Sequence, residues 1–406
     1  MKRASSIFSL FVLIFAFTIS ISAQDWPQWR GVKSDGNVSG FKAPSSWPTE
    51  LKQEWKVTVG LGDAGPVLVG NKLYSFSRQE NDEVLLCLDA ISGKEIWQNK
   101  YPAITVTGPS ASHPGPRSTP AVAEGKIVTL GVGGVLSCLD ATSGKLVWRK
   151  ENTSNLNPPF FTAMSPMIVN GKCIAFLGGK ESGTIFAFDL VTGSETWKWA
   201  GDGPTYSSPV VMTIDGKKQL VVYTEKNLVG LDAADGKLLW KVDAPCQNRF
   251  YNAATPVVLG QTVIITGQGS GTKAIEIVKE GDEFVTKELW ANAELGTKYN
   301  TPVIQDGLLY GLSNGRKFYS LDVKNGLTMW ADTTMNSDFG ALLNCGSAII
   351  SLPSNSNLIV FKPGQKSYSE LTRIKVSDKP VFSTPVVSGN KIYIKDAEIL
   401  TLYKFN

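Results

Sequence analysis

Apolar and polar positions along this chain alternate in the manner of short strands, not helices. Apolar runs such as VLLCL and GVLSCL stop at an aspartate, pass through a polar turn, and resume as a brief strand ending on tryptophan. Five stretches repeat this plan with unchanged spacing: LDAISGKEIW, LDATSGKLVW, FDLVTGSETW, LDAADGKLLW and LDVKNGLTMW. The aspartate and tryptophan pairs are Asp89/Trp97, Asp140/Trp148, Asp189/Trp197, Asp232/Trp240 and Asp322/Trp330. Four residues after each aspartate stands a glycine, directly preceded by Ser, Thr, Asp or Asn. A short polar side chain that bonds back to the backbone, followed by a residue free to take positive φ, is hairpin-turn chemistry. Each stretch therefore predicts a β-hairpin.

A second signature precedes the hairpins, a small residue and a proline opening a strand: Thr119-Pro120, Ser165-Pro166, Ser208-Pro209, Thr255-Pro256, Thr301-Pro302 and Thr384-Pro385. Proline removes no ladder bond at the first residue of a strand. The prolines at 120, 166, 209, 256 and 302 lie 46, 43, 47 and 46 residues apart. Gly65-Pro66 opens an earlier unit and another begins near Ala341 without proline, which makes eight starts. Four-stranded units of this length predict propeller blades, and closing them into a ring removes the sheet edges an open stack would expose. The two ends of the chain suggest how. Glu54-Trp55-Lys56-Val57 reads as a fourth strand with no first three, and the unit from Pro385 onward has three strands and no fourth. The expected fold is all-β, an eight-bladed propeller of four-stranded antiparallel blades over residues 51–406, closed by an N-terminal strand completing the last blade.

Ahead of the propeller, residues 1–23 read as a signal peptide and 24–50 as an N-terminal extension. Lys2 and Arg3 precede an apolar run over 7–21 and small residues at Ser22-Ala23. That run falls short of the roughly 20 residues a spanning helix needs. The mature chain is thus expected in the periplasm or secreted, as a monomer with no transmembrane segment. Removing Lys2 and Arg3 takes the formal charge from +4 to +2, with both signs dispersed, so no nucleic-acid partner is expected. Cys87, Cys138, Cys173, Cys246 and Cys345 form no CxxC or adjacent pair, and are expected to be buried thiols.

The Asp-Ala-x-(Ser/Thr)-Gly-Lys-x-x-Trp pattern resembles the tryptophan-docking motif of the PQQ-like β-propellers, which include quinoprotein dehydrogenases and the assembly factor BamB. DWPQWRG at 25–31, GPRSTP at 115–120 and YNAATP at 251–256 resemble a secreted branch of that family. The resemblance implies that Trp97, Trp148, Trp197, Trp240 and Trp330 pack between adjacent blades, with Trp55 and Trp290 doing so in degenerate copies. It also raises a cofactor, because quinoprotein alcohol dehydrogenases hold PQQ under a disulfide of adjacent cysteines, with calcium and an aspartate base. This chain has no Cys-Cys pair, no CxxCH and no alignable calcium set. No cofactor is expected, with PQQ and calcium as the alternative.

Other chemistry is sparse. His113 is the sole histidine, so no His-cluster metal site can form within one subunit. No GxSxG elbow occurs. GLGDAG at 60–65 matches GxGxxG but leads into Pro66 and a strand, without the helix N-terminus that would hold a phosphate. GQGSGT at 267–272 reads as a hairpin turn. The repeated aspartates supply one carboxylate per loop, or two at Asp232/Asp235, and read as turn residues and not calcium ligands. No catalytic or metal-binding residue is expected.

What remains is the loops, where function concentrates on a rigid scaffold. The links from Trp97 to Pro120, Trp148 to Pro166 and Trp240 to Pro256 are long, and carry His113 and Arg117, Asn155, Asn157, Phe160 and Phe161, and Arg249, Tyr251 and Asn252. The ends of these loops form the candidate binding face around the central channel: His113, Arg117, Phe160, Phe161, Arg249, Tyr251 and Asn252, with Ser207, Tyr299 and Asn300. The expected function is an exported, non-catalytic scaffold that binds an envelope protein, peptide or glycan. BamB-like assembly of outer-membrane proteins is the nearest precedent, although the lipid-anchor cysteine is lacking. A PQQ-dependent dehydrogenase and an extracellular carbohydrate-acting enzyme are the alternatives.

Overall fold

The computed structural model describes residues 25–151, 156–245 and 251–405. The signal peptide, Asn155, Cys246 and Arg249 lie outside the described residues.

Eight four-stranded antiparallel sheets form the molecule. Blades 1 to 7 occupy 67–102, 121–150, 167–200, 210–243, 257–292, 303–331 and 340–375. Blade 8 joins Val386–Ser388, Lys391–Lys395 and Ile399–Lys404 to Lys52–Thr58, with Trp55 opposite Leu402. The N-terminal strand therefore completes the last blade, as its isolated tryptophan predicts.

Each recurring aspartate caps its own turn. Asp89 Oδ1 accepts from the Ile91 and Ser92 amides and the Ser92 hydroxyl, and Asp140 and Asp189 repeat the arrangement with their own neighbours. These bonds hold all three carboxyls below the usual carboxylate range. The strand that follows contains a β-bulge directly before its tryptophan. Trp97 faces Cys87 while Glu95 faces Leu88, so Ile96 is the extra residue. The same irregularity precedes Trp148, Trp197, Trp240, Trp290 and Trp330. A bulge re-aims the side chains beside it, and here each re-aimed indole lies against a neighbouring blade.

The turn glycine of the following blade receives the indole. A Cβ added to Gly93, Gly144, Gly193, Gly236 or Gly326 would come within 2.4–2.8 Å of an atom of Trp55, Trp97, Trp148, Trp197 or Trp290 respectively. Trp148 and Trp290 also donate to Leu190 O and Val323 O in the next blade, and Trp330 to Gly364 O. Trp240 differs because the third and fourth strands of blade 5 meet at Glu280–Glu283 with no docking glycine. It donates instead to Gln219 Oε1 in its own blade at 2.6 Å, and packs on blade 5 side chains such as Val263 and Ile275.

Around the axis, the residue before the strand-opening proline links consecutive blades from the first to the sixth. Gly65 N donates to Thr119 Oγ1, Thr119 N to Ser165 Oγ, Ser165 N to Ser208 Oγ, Ser208 N to Thr255 Oγ1 and Thr255 N to Thr301 Oγ1, all at 2.9–3.1 Å. This chain of bonds stops where blade 7 opens without a Thr-Pro pair. There Arg30 takes over: Nη1 donates to Thr301 O and Leu342 O, and Nη2 to Pro302 O and Asp35 O. Burial pushes this guanidinium down to about 10, so it remains a cation at neutral pH.

Arg30 belongs to the segment ahead of the propeller, which reaches blades on opposite sides of the ring. Trp26 pairs with Leu68 of blade 1, Pro27 O accepts from Val122 of blade 2, Trp29 Nε1 donates to Thr255 at the entry to blade 5, and Val38 N donates to Asn344 O of blade 7.

Candidate functional site

The links between blades converge on one end of the channel and enclose a cavity of about 530 Å³. Each of the eight links contributes a side chain, from Asp63 ahead of blade 1 to Phe382 ahead of blade 8. Trp29 adds a face from the N-terminal segment.

Two aromatic clusters form its walls. Phe160, Tyr206 and Tyr251 meet edge to face, with centroids 5.1–6.1 Å apart. In the second, Tyr299 stacks on Phe339 at 4.1 Å, Phe339 meets Phe382, and Phe382 meets His113. Tyr299 and Phe339 are 39% and 37% exposed, an unusual amount of open aromatic surface for a stacked pair. Lys298 lies 5.0 Å from the Tyr299 ring centroid and pairs with Asp338, which Arg316 also binds.

The polar end of the cavity is built from two glycine-rich loops. Asp63 N and Ala64 N both donate to Pro116 O, and Gly115 packs so closely on Leu61 that a Cβ there would lie 2.1 Å from its carbonyl oxygen. GLGDAG is therefore a loop folded against GPRSTP, in keeping with its reading as a turn. Lys395, buried behind it, donates to the carbonyls of Gly62, Asp396 and Ala397, and desolvation lowers its pKa to about 8. The two loops bring Asp63 Oδ2 to 2.7 Å from His113 Nδ1. That hydrogen bond raises the imidazole pKa against the opposing effect of burial. Arg117 then ties this loop to the next, donating to His113 O at 2.9 Å and Phe160 O at 2.6 Å.

Of the candidate face, His113, Arg117, Phe160, Tyr251 and Tyr299 line the cavity. Ser207, Asn252 and Asn300 do not. They are buried, Ser207 beside Thr205, Asn252 donating to Thr224 O and Ala244 O, and Asn300 bonded to both backbone groups of Leu312. Phe161 sits in the left-handed region at the end of a turn closed by its amide on Pro158 O, away from the lining. Sequence reasoning missed Trp29, Tyr206, Lys298, Phe339 and Phe382, of which Trp29 stood inside a quoted motif and Tyr206 next to a quoted serine.

A family model described as outer membrane protein assembly factor BamB matches residues 80–332. The chain belongs to this family. BamB of Yersinia pestis is 21% identical over 65% of this chain and 68% of that protein. Methanol dehydrogenase [cytochrome c] subunit 1 of Methylorubrum extorquens is 27% identical over 57% of this chain, which spans only 38% of that relative. Among solved structures, BamB from Moraxella catarrhalis superposes with a TM-score of 0.66 at 15% identity, over 88% of this chain and 98% of that one. Quinohemoprotein alcohol dehydrogenase from Comamonas testosteroni gives 0.67 at 14% identity, over 94% and 80%. At such identities the superpositions establish the shared fold, and fold alone does not assign function.

The residues of the cavity do not fit a calcium-assisted quinone site. Calcium takes six to eight oxygen ligands, several of them carboxylates, at about 2.3–2.6 Å. Asp63 is the one carboxylate in the lining, and it is engaged by His113. Among the described residues no three His, Cys, Asp or Glu side chains form a metal-binding group. Cys87, Cys138, Cys173 and Cys345 are free, buried and outside the lining. Among those residues there is also no helix long and apolar enough to cross a membrane.

Proposed function

We propose that this protein is an exported, non-catalytic scaffold of the cell envelope, BamB-like in role, which captures a partner at the mouth of its channel. The observation that carries the reading is the cavity itself: aromatic side chains from separate blades form its walls, while Asp63, His113 and Arg117 spend hydrogen bonds on fixing the loops. Rigid aromatic surface framed by a few oriented polar groups is the make-up of binding hot spots. The basic, apolar and small-residue order of residues 1–23 supports export. Relatives that carry the BamB name support a role in outer-membrane protein assembly.

The test is recovery of the mature protein with its partners from its own envelope, comparing wild type with the combined substitution Phe160→Ala, Tyr251→Ala and Phe339→Ala. Wild type should retain a reproducible partner that the variant loses by about tenfold or more, as expected when several hot-spot aromatics are truncated. Wild-type protein given PQQ and calcium should neither gain a quinone absorbance band nor oxidise alcohols. Undiminished recovery with the variant, or PQQ-dependent turnover, overturns the reading.

A further inference from the structure

Arg117 is a cation of this cavity that makes no ion pair among the described residues. Its guanidinium donates to two backbone carbonyls, Phe160 O and His113 O, leaving three of its five N–H groups without a partner among the described residues. Among the described residues no carboxylate oxygen lies within 4.0 Å of it. Asp63 exerts some favourable field on Arg117 but is held by His113. Desolvation nonetheless weighs on the guanidinium and lowers its pKa from the usual value. A cation partly stripped of water, lining an aromatic-walled space with donors to spare, is stabilised by an anion arriving from outside.

We infer that the cavity receives a carboxylate borne next to an aromatic ring, the carboxylate bridging the open N–H groups of Arg117 and the ring packing against Phe160, Tyr206 and Tyr251. The inference rests on the reading of this cavity as a binding site and names what it recognises. The planar guanidinium fork matches a carboxylate with two parallel bonds. Its neighbouring rings already touch edge to face at 5.1–6.1 Å, a geometry a further ring can extend. The far wall adds a favourable field, because Lys298 and Arg316 share the single carboxylate of Asp338. Two sources offer this chemistry: the C-terminus of a protein that ends in an aromatic residue, and a free aromatic acid.

Calorimetric titration of the whole mature protein separates them. The probes are N-acetyl-phenylalanine, its amide, and a six-residue peptide ending in phenylalanine with a free or amidated C-terminus. The free-carboxylate member of a pair should bind at least about tenfold more tightly than its amide, the margin of a charge-assisted pair over a neutral one. Binding by both acids assigns a site for the terminal residue alone. Binding by the peptide acid only assigns a chain terminus. Arg117→Gln should abolish the preference for acid over amide, with folding of the variant checked by its thermal transition. The wild-type comparison stands alone if that variant does not fold. Equal affinity of acid and amide in both pairs, or no binding of any probe, overturns the inference. In that case, envelope partner recovery that still depends on the aromatic walls leaves the scaffold reading intact, and loss of that dependence as well removes both.

Discussion

At the scale of the residue, the turn glycines answer two separate demands. The local one is positive φ, +71° at Gly144, and is legible from a polar residue and a glycine between two apolar strands. The other demand is long-range. The site of the missing Cβ is occupied by Trp97 of the preceding blade, 2.5 Å away, and periodicity alone does not reveal that partner. Only the resemblance to a known docking motif anticipates it. Gly125 separates the two demands, because its φ is +72° and an added Cβ would meet nothing within 4 Å. Gly125→Ala should therefore cost about 1–2 kcal/mol, the penalty of a left-handed residue. Gly144→Ala should lose that and about 1–3 kcal/mol more from overpacking against the indole. Urea unfolding of the two variants measures the difference, and equal losses would mean that the indole simply moves aside.

The element with the largest unread content is the Ser/Thr-Pro start shared by six of the blades. Its proline marks the beginning of a strand by local chemistry, and the period it sets was enough to count the blades. The hydroxyl before it carries no such signal, since its partner is the amide of the equivalent residue one blade earlier, about 45 positions away. Thr255 holds both the Ser208 amide and the Trp29 indole N–H. Thr255→Val keeps the shape and strands both donors, each orphaned donor costing about 1–3 kcal/mol, whereas Thr255→Ser should stay close to wild type. Thermal midpoints of the pair decide it, and a valine variant as stable as the serine one would deny the hydroxyl any linking role. The same limit explains the candidate face. Polar and aromatic loop residues can be picked out by type, but Asn252 and Asn300 turn inward to backbone groups, while Phe339 and Phe382 come from links whose length attracts no notice. Which way a loop side chain points depends on neighbours that a single strand of text does not display.

For the whole molecule, closure was legible from the isolated Glu54-Trp55-Lys56-Val57 strand and the unfinished last unit, but the way the ring is held between blades 6 and 7 was not. The series of hydroxyl links ends at blade 6, and Arg30, 271 residues from Thr301 in sequence, spans the step to blade 7 through carbonyls on both sides. In the sequence this arginine is merely one letter of DWPQWRG. Arg30→Met keeps the apolar stem and removes the fork, leaving buried carbonyls of Thr301, Pro302 and Leu342 short of a donor. Each orphaned carbonyl should cost about 1–3 kcal/mol, the penalty of a buried acceptor left without its donor. Arg30→Lys should recover less than half of that loss, because a single ammonium cannot serve carbonyls spread across two blades as a planar fork does. The location of the damage is the sharper test. If Arg30 is the clasp that takes over where the hydroxyl links of blades 1 to 6 end, amide hydrogen exchange in Arg30→Met should quicken first in the inner strands Val303–Gln305 and Gly340–Asn344, with blades 2 to 4 following only at the global unfolding rate. Uniform acceleration around the ring would show that the seam is no weaker than the rest, and that the N-terminal segment stabilises the propeller as a whole.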